Sequence, residues 1–303
     1  MKQKFSLRIA TRKSPLAMIQ AHLVGALLEQ QHPSLEIIYL PISTLGDRVK
    51  HGAWNDDATG VFVKELEQAL LKNEADIAVH SLKDVPFMLP KGLHLCSFLE
   101  REDPSDVVLT RGGVGLAKLP KNSLIGTSSM RRSVFLKKKY PHFHFRSIRG
   151  SIETRIKKMQ SENFNAIILA KAALLRLSLN LDFEDLSFDA LPPAPSQGII
   201  AIENRRADRK INALLRSINN KQSYFCARAE RKAMHLMGSG CRKPFSAYAT
   251  LEGEVMRLNL AVADISLTKI KKSTAYREKV SKISDCDRLA SEAVKKLRKT
   301  LFF

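Results

Sequence analysis

Leu7-Arg8-Ile9-Ala10-Thr11-Arg12-Lys13-Ser14-Pro15-Leu16-Ala17 places a strand directly before a helix. Leu7 to Thr11 reads as a short apolar strand, and Ser14-Pro15 offers an N-cap followed by proline at the first helical position. Leu16, Ile19, Leu23 and Leu27 continue at helical spacing, and His32-Pro33 predicts the helix end. Working outward, Glu36 to Ile42 reads as a second strand, Phe62 to Asn73 as a helix with Leu66, Ala69 and Leu70 inward, and Ala75 to His80 as a third strand. This βαβαβ alternation predicts a mostly parallel, doubly wound α/β sheet.

The same grammar repeats downstream. Leu124 to Gly126, Phe143 to Ser147 and Ala166 to Ala170 read as strands, alternating with helices over Ser129 to Lys139 and Ile152 to Ser161. Leu191-Pro192-Pro193-Ala194-Pro195 is a stiff connector, and Gly198 to Glu203 reads as a strand returning to the first unit. From Gln222 the pattern changes to a helix, a Gly-Ser-Gly-Cys loop, antiparallel strands turning at Glu252-Gly253 and a basic closing helix from Asp285. The expected architecture is two doubly wound α/β lobes with a cleft, plus a small C-terminal α+β domain. Its predicted divisions are 1–99 with 198–218, 100–197, and 219–303.

Composition narrows the function classes. A 303-residue chain with 44% hydrophobic residues builds real cores, which excludes general disorder. No apolar run reaches the ~20 residues needed to cross a bilayer. The first residues lack the apolar core and small-residue cleavage site of a signal peptide, so a cytoplasmic, unprocessed protein is expected. Cys96, Cys226, Cys241 and Cys286 form no C-x-x-C pair, which indicates neither a zinc site nor a disulfide scaffold. The formal charge of +20 calls for an anionic partner, and the window from Lys118 to Lys158 supplies +11 of it, with Glu153 its one acid.

In open α/β sheets ligands gather beyond the carboxyl ends of the strands. That rule selects Thr11, Arg12, Lys13 and Ser14 after the first strand, His80 to Asp84 after the third, Thr127, Ser128 and Ser129 with Arg131 and Arg132 in the following helical turn, and Arg149, Gly150, Ser151 and Arg155. Hydroxyls, guanidinium groups and helix N-terminal N–H groups together hold carboxylates or phosphates. Cations in a first helical turn oppose the helix dipole, so Arg131 and Arg132 point to a bound anion. The plainer alternative is a solvated basic face. Asp84 is the one carboxylate in this inventory and a candidate proton handler, although a pair with Lys83 or the cap of a turn is the plainer use for it. Cys241, among glycines, reads either as a nucleophile or attachment point or as a small structural residue. Phe135, Tyr140, Phe143 and Phe145 within the basic window raise single-stranded nucleic-acid binding as an alternative, against which Phe143 and Phe145 alternate with polar residues as a half-buried strand does.

These residues, in this order, resemble the porphobilinogen deaminase family across nearly the whole chain. The resemblance is carried by Leu7 to Arg12 with Ser14 to Ala17, Phe62 to Glu67, Ala75 to Pro86, Glu100 to Pro104, Gly126 to Arg132, Arg149-Gly150, Ala166 to Ala170, Gln197-Gly198 and Gly240-Cys241. It implies lobes of the type II periplasmic-binding-protein kind and an enzyme that joins four porphobilinogen molecules head to tail, with release of ammonia, into hydroxymethylbilane. It also implies a dipyrromethane cofactor held covalently by Cys241, with Ser81, Lys83, Thr127, Ser129, Arg131 and Arg132 binding that cofactor. Asp84 matches the catalytic aspartate, and Arg12, Ser14, Arg149, Arg155, Arg176 and Gln197 match substrate-binding positions. No metal, nucleic acid or membrane is expected as a partner, and a monomer is expected.

Three departures from the family pattern stand out. Asn55-Asp56-Asp57-Ala58-Thr59-Gly60 replaces a glycine-rich, lysine-bearing lid, Ser151 stands where asparagine is usual, and Ser196 stands where glycine often precedes Gln-Gly. The changed lid leaves a second possibility, a two-lobed anion-binding module without catalysis.

Overall fold

The computed structural model describes residues 5–48, 60–238, 244–263 and 270–301. In chain order the elements begin with β1 (Phe5–Arg12), α1 (Pro15–Gln31), β2 (Leu35–Ile42), α2 (Leu45–Arg48), α3 (Lys64–Leu71), β3 (Ile77–Ser81) and β4 (Leu93–Phe98). They continue with β5 (Asp106–Thr110), β6 (Leu124–Gly126), α4 (Met130–Lys139), β7 (His144–Arg146), α5 (Ile152–Ser161), β8 (Ala166–Ala170), α6 (Lys171–Arg176) and β9 (Glu184–Leu186). The chain closes with β10 (Ile200–Arg205), α7 (Arg209–Arg216), α8 (Lys221–Leu236), β11 (Phe245–Glu252), β12 (Val255–Ala263), β13 (Ile270–Arg277) and α9 (Ile283–Leu301). The chain divides into two compact units, Met1–Arg101 with Ile199–Tyr224 and Glu102–Gly198 with Phe225–Phe303.

The first unit is a five-stranded sheet in the order β2-β1-β3-β10-β4. β1 runs parallel to β2 and β3, while β10 is antiparallel to both β3 and β4. The sheet is therefore mostly parallel, as the alternation predicts, with β10 as its antiparallel strand. The added strand comes from far along the chain and runs against its neighbours. Apolar residues cover both faces. Leu7, Ile9, Ile77, Val79 and Ile202 pack with Val24 and Leu28 of α1 and Leu215 of α7, and Ala10 and Ala78 pack with Leu66, Ala69 and Leu70 of α3. Each large side chain so buried stabilises the fold by ~1.5 to 3 kcal/mol. α1 starts as the sequence predicts, with Ser14 accepting a hydrogen bond from the Ala17 N–H and Pro15 in the first turn.

The second unit repeats the plan in the order β7-β6-β8-β5-β9, with β5 antiparallel to β8 and β9. Its sheet is sandwiched between Phe135, Leu136 and Phe143 on one face and Met159, Phe164 and Leu174 on the other. The strands β11-β12-β13 form a separate antiparallel sheet in this unit, turning at Gly253, whose φ of +59° suits glycine. Ala261 and Ala263 of β12 join the core that contains Val134 and Phe135 of α4.

Ser196 takes a left-handed φ of +63° at the end of the proline-rich connector. Its hydroxyl is buried without a hydrogen-bond partner, while its backbone N–H donates to Glu230 Oε2 at 2.6 Å. Left-handed backbone costs a non-glycine residue ~1 to 2 kcal/mol, and an orphaned buried hydroxyl costs further. Glycine keeps the N–H and removes both penalties, at some cost in unfolded-state entropy. Ser196→Gly is therefore expected to stabilise the protein by about 1 kcal/mol. A urea midpoint that stays put or falls would contradict this account of the strain.

Candidate active site

In the first unit the end of β3 is fixed from three sides. The Leu82 N–H donates to the Ile199 carbonyl at 3.0 Å, and the Leu82 side chain is fully buried. The Ser81 hydroxyl is held by the Gln20 side chain of α1 at 2.9 to 3.0 Å. The 3-10 turn Leu82–Asp84 then lifts Lys83 and Asp84 to a half-buried position. Among the described residues nothing forms a hydrogen bond or ion pair with the Asp84 side chain. The simple alternative of an Asp84–Lys83 pair is therefore not what the structure shows, and Asp84 remains an available carboxylate at a strand end.

At the neighbouring strand end, Arg12 pairs with Asp47 and stacks over the Phe62 ring at 4.2 Å. Burial alone pushes the Asp47 carboxyl up, but hydrogen bonds from Arg12 and Thr44 outweigh it and hold the group below the usual carboxylate range. Ser14 spends its hydroxyl as the cap of α1.

In the second unit a buried carboxylate organises the corresponding strand ends. Asp106, fully buried at the start of β5, takes Arg131 Nη2 on Oδ2 at 2.6 Å and Arg132 Nη2 on Oδ1 at 2.6 Å. Gln197 Nε2 donates to the same Oδ1 at 3.1 Å and to the Pro104 carbonyl at 2.7 Å. Arg131 also reaches the Pro192 carbonyl at 2.6 Å, and Arg132 the Ile168 carbonyl at 2.9 Å. Both arginines are less than a tenth exposed. Burial lowers the Arg131 pKa, partly offset by Asp106, yet a guanidinium stays charged throughout the working range. Two cations against one carboxylate leave this cluster net positive.

The Ser129 hydroxyl caps α4 by accepting from the Arg132 N–H at 3.4 Å, and Thr127 accepts from the Ser129 N–H at 3.2 Å. Gly126 lets the chain pass close here, because a Cβ on it would lie 3.0 Å from both Ile148 and Ile167. At the next strand end Arg155 donates to the Gly150 carbonyl at 2.9 Å, and Gly150 has a φ of +118°. Ser151 caps α5 through the Thr154 N–H, a task that serine performs as well as asparagine. Arg149 is exposed. Arg176, on α6, donates to the Gly198 carbonyl at 2.5 Å, and burial, partly offset by Glu102, lowers its pKa to about 10.

The structure thus brings Arg131, Arg132 and Gln197 together on Asp106, with Thr127 and Ser129 alongside, and puts Ser81 at the end of β3 with Lys83 and Asp84 on the turn that follows. Cys241, Asp56 and Asp57 lie outside the described residues. Sequence reasoning missed Asp106, Gln20 and Asp47. An acid opening the apolar run Val107-Val108-Leu109, and a glutamine one residue from Ile19 in an apolar helix, were the available signals.

Comparison with known proteins gives matches along most of the chain. Residues 7–213 match the family described as "Porphobilinogen deaminase, dipyromethane cofactor binding domain", and residues 224–302 match "Porphobilinogen deaminase, C-terminal domain". A curated porphobilinogen deaminase from Syntrophomonas wolfei is 40% identical over 303 residues, covering 98% of this chain and 95% of that protein. Among solved structures, the methionine-binding protein MetQ is 8% identical with a TM-score of 0.46, covering 74% of this chain and 94% of that one. The periplasmic VFT2 domain of Bordetella pertussis BvgS is 15% identical with a TM-score of 0.42, covering 70% and 86%.

Removing the charge that holds two buried guanidinium groups leaves them uncompensated, which costs ~3 to 5 kcal/mol. Asp106→Asn is expected to lower unfolding stability by about 3 kcal/mol or more, read from chemical denaturation. A loss below about 1 kcal/mol would mean that Asp106 does not carry the cluster.

Proposed function

The chain belongs to the porphobilinogen deaminase family, and from that premise we propose how its residues divide the work. The reaction is the head-to-tail polymerisation of four porphobilinogen molecules into hydroxymethylbilane with release of ammonia, a transferase step of tetrapyrrole biosynthesis. The protein carries a dipyrromethane cofactor, which supplies the nucleophilic pyrrole carbon on which the chain is built.

The residues present suit a carboxylate-bearing group of this kind. Around the start of α4 the Arg131–Arg132–Asp106 cluster is net positive, with the Ser129 and Thr127 hydroxyls beside it. Lys83 and Ser81 offer a further cation and hydroxyl at the end of β3. In this reading Cys241 forms the thioether, and Ser81, Lys83, Thr127, Ser129, Arg131 and Arg132 hold the cofactor. Arg12, Ser14, Arg149, Arg155, Arg176 and Gln197 serve the carboxylates of incoming and growing rings, each charge-assisted bond contributing ~1.5 to 3 kcal/mol.

The available Asp84 carboxylate is the observation that carries the mechanism. When porphobilinogen loses ammonia the C–N bond breaks with its electron pair on nitrogen, leaving a cationic methylene-pyrrole. Asp84 stabilises that cation through the pyrrole N–H. The pyrrole carbon that bonds to it must then shed a proton, and the same carboxylate accepts it. The chain works in this reading as three parts, 1–99 with 198–218, 100–197, and 219–303. It is read further as a cytoplasmic monomer that needs neither nucleic acid nor membrane, on the strength of the family likeness rather than of geometry. No helix among the described residues is long and apolar enough to cross a membrane.

Asp84→Asn is expected to keep the fold and lower the rate of ammonia release by ~10²- to 10⁴-fold. A near wild-type rate would remove Asp84 from the mechanism. Cys241→Ala is expected to abolish turnover together with the mass increment of two pyrrole units on the intact protein. Normal product from that variant would defeat the assigned attachment point.

A further inference from the structure

Arg12, at the end of β1, already carries a carboxylate of the protein. Asp47 Oδ1 pairs with Arg12 Nη2, and Asp47 Oδ2 accepts from Arg12 Nε at 3.4 Å. Asp47 thus takes one edge of the guanidinium. The group has five N–H donors in a rigid planar fork, so its Nη1 end lies beyond that edge. Among the described residues nothing forms a hydrogen bond or ion pair with Nη1.

Asp47 is itself held in place. Its Oδ2 accepts the Thr44 hydroxyl at 2.7 Å and the Thr44 N–H at 3.1 Å, and its own N–H donates to the Thr44 carbonyl at 3.0 Å. Thr44 is fully buried, so this carboxylate belongs to a closed turn and stays where it is. The flat face of the guanidinium is fixed as well, by the Phe62 ring 4.2 Å from it. That ring lies against the backbone of Gly46, where any Cβ would overlap it. The Gly46 N–H donates to the Val61 carbonyl at 3.0 Å and the Leu45 N–H to Glu65 Oε1 at 2.7 Å, which ties the turn to the start of α3.

Edge and face are therefore both set by the protein, and the end of the fork is left over. Each member of the Arg12–Asp47 pair is about a quarter exposed, and such a pair contributes little to stability. What it supplies is orientation. A mobile arginine loses rotamer freedom when it grips a ligand, whereas one already fixed does not. We propose that Asp47 is a positioning residue for the polymerisation: pinned by Thr44 and aided by the Phe62–Gly46 stack, it holds Arg12 so that the Nη1 end meets a pyrrole carboxylate in a fixed direction. The inference rests on the substrate-binding role given above to Arg12.

Orientation and charge make opposite demands on Asp47. Its negative charge offsets that of Arg12, so by charge alone its removal tightens the binding of an anion. Water screens that offset at a partly exposed pair, while each charge-assisted bond lost costs ~10-fold or more in affinity. Orientation therefore decides the sign.

The test uses the holoenzyme and a pyrrole dicarboxylate that cannot react, the substrate with methyl in place of its aminomethyl group. Asp47→Asn should weaken binding of this probe about 10-fold in calorimetry and raise KM for porphobilinogen about as much, with kcat within about 2-fold of wild type. Gly46→Ala alters no charge and displaces the Phe62 ring, and it should weaken the probe about 3-fold or more. In an Arg12→Gln background, Asp47→Asn should add less than about 2-fold, because the two residues act as one unit. Unchanged or tighter binding by Asp47→Asn would overturn the proposal. So would a loss of equal size with and without Arg12, which describes a turn that matters only to the fold. Normal binding by Arg12→Gln alone would overturn the role of Arg12 as well, whereas weakened binding by Arg12→Gln beside unchanged binding by Asp47→Asn and Gly46→Ala would overturn the positioning role only.

Discussion

Arg131 and Arg132 occupy the first turn of α4, where the helix dipole and their mutual repulsion both oppose them, and burial adds the loss of hydration. Asp106 makes that arrangement possible. Its two oxygens take one guanidinium each, and the fixed Ile168 and Pro192 carbonyls and the Gln197 amide complete the set. The interaction therefore joins the start of β5, the start of α4, the end of β8 and the connector, which are distant in sequence. A buried pair of this kind adds little net stability compared with an apolar filling, but it tolerates no missing member. It also changes what the arginines offer a ligand. Their tips are committed to Asp106, so in the function proposed above an anion would meet a fixed net positive field rather than two mobile side chains.

The connector shows the same logic with backbone N–H groups in place of the guanidinium groups. Glu230, fully buried in α8, accepts the Ser196 N–H at 2.6 Å on one oxygen and the Ala249 N–H at 2.7 Å on the other. A single carboxylate thus ties the segment bearing Gln197 to β11 of the C-terminal sheet. The Ser246 hydroxyl adds a second tie, donating to the Pro193 carbonyl at 2.6 Å. Backbone N–H groups that would otherwise be buried and orphaned are satisfied, and the unusual φ of Ser196 is held by what surrounds it.

Legibility in the sequence followed the range of the forces involved. β1, α1 and α4 were readable because their causes are local, in apolar spacing, a serine cap and a proline in the first turn. The antiparallel strand in each sheet was less readable. The direction of β10 depends on pairing with β3 and β4 across more than a hundred residues, which no periodicity encodes. At the site, the strand-end rule selected Asp84, Arg131 and Arg132 from position alone. It did not select Asp106, Glu203 or Gln20, since a buried polar residue in an apolar run looks like an interruption until its partner is known. The Asp84–Lys83 alternative failed for a related reason, because adjacency in sequence says little about where two side chains point on a 3-10 turn.

The two units bury charge behind their strand ends in chemically different ways. In the second unit the buried cations are guanidinium groups, and Arg131 and Arg176, whose pKa values burial lowers, remain charged at any pH at which the protein folds. Asp106, the partner of Arg131 and Arg132, is a carboxylate with two guanidinium groups upon it. In the first unit the buried set is the Glu67 and Glu203 carboxyls and the His80 imidazole, and Glu67 titrates at about 7.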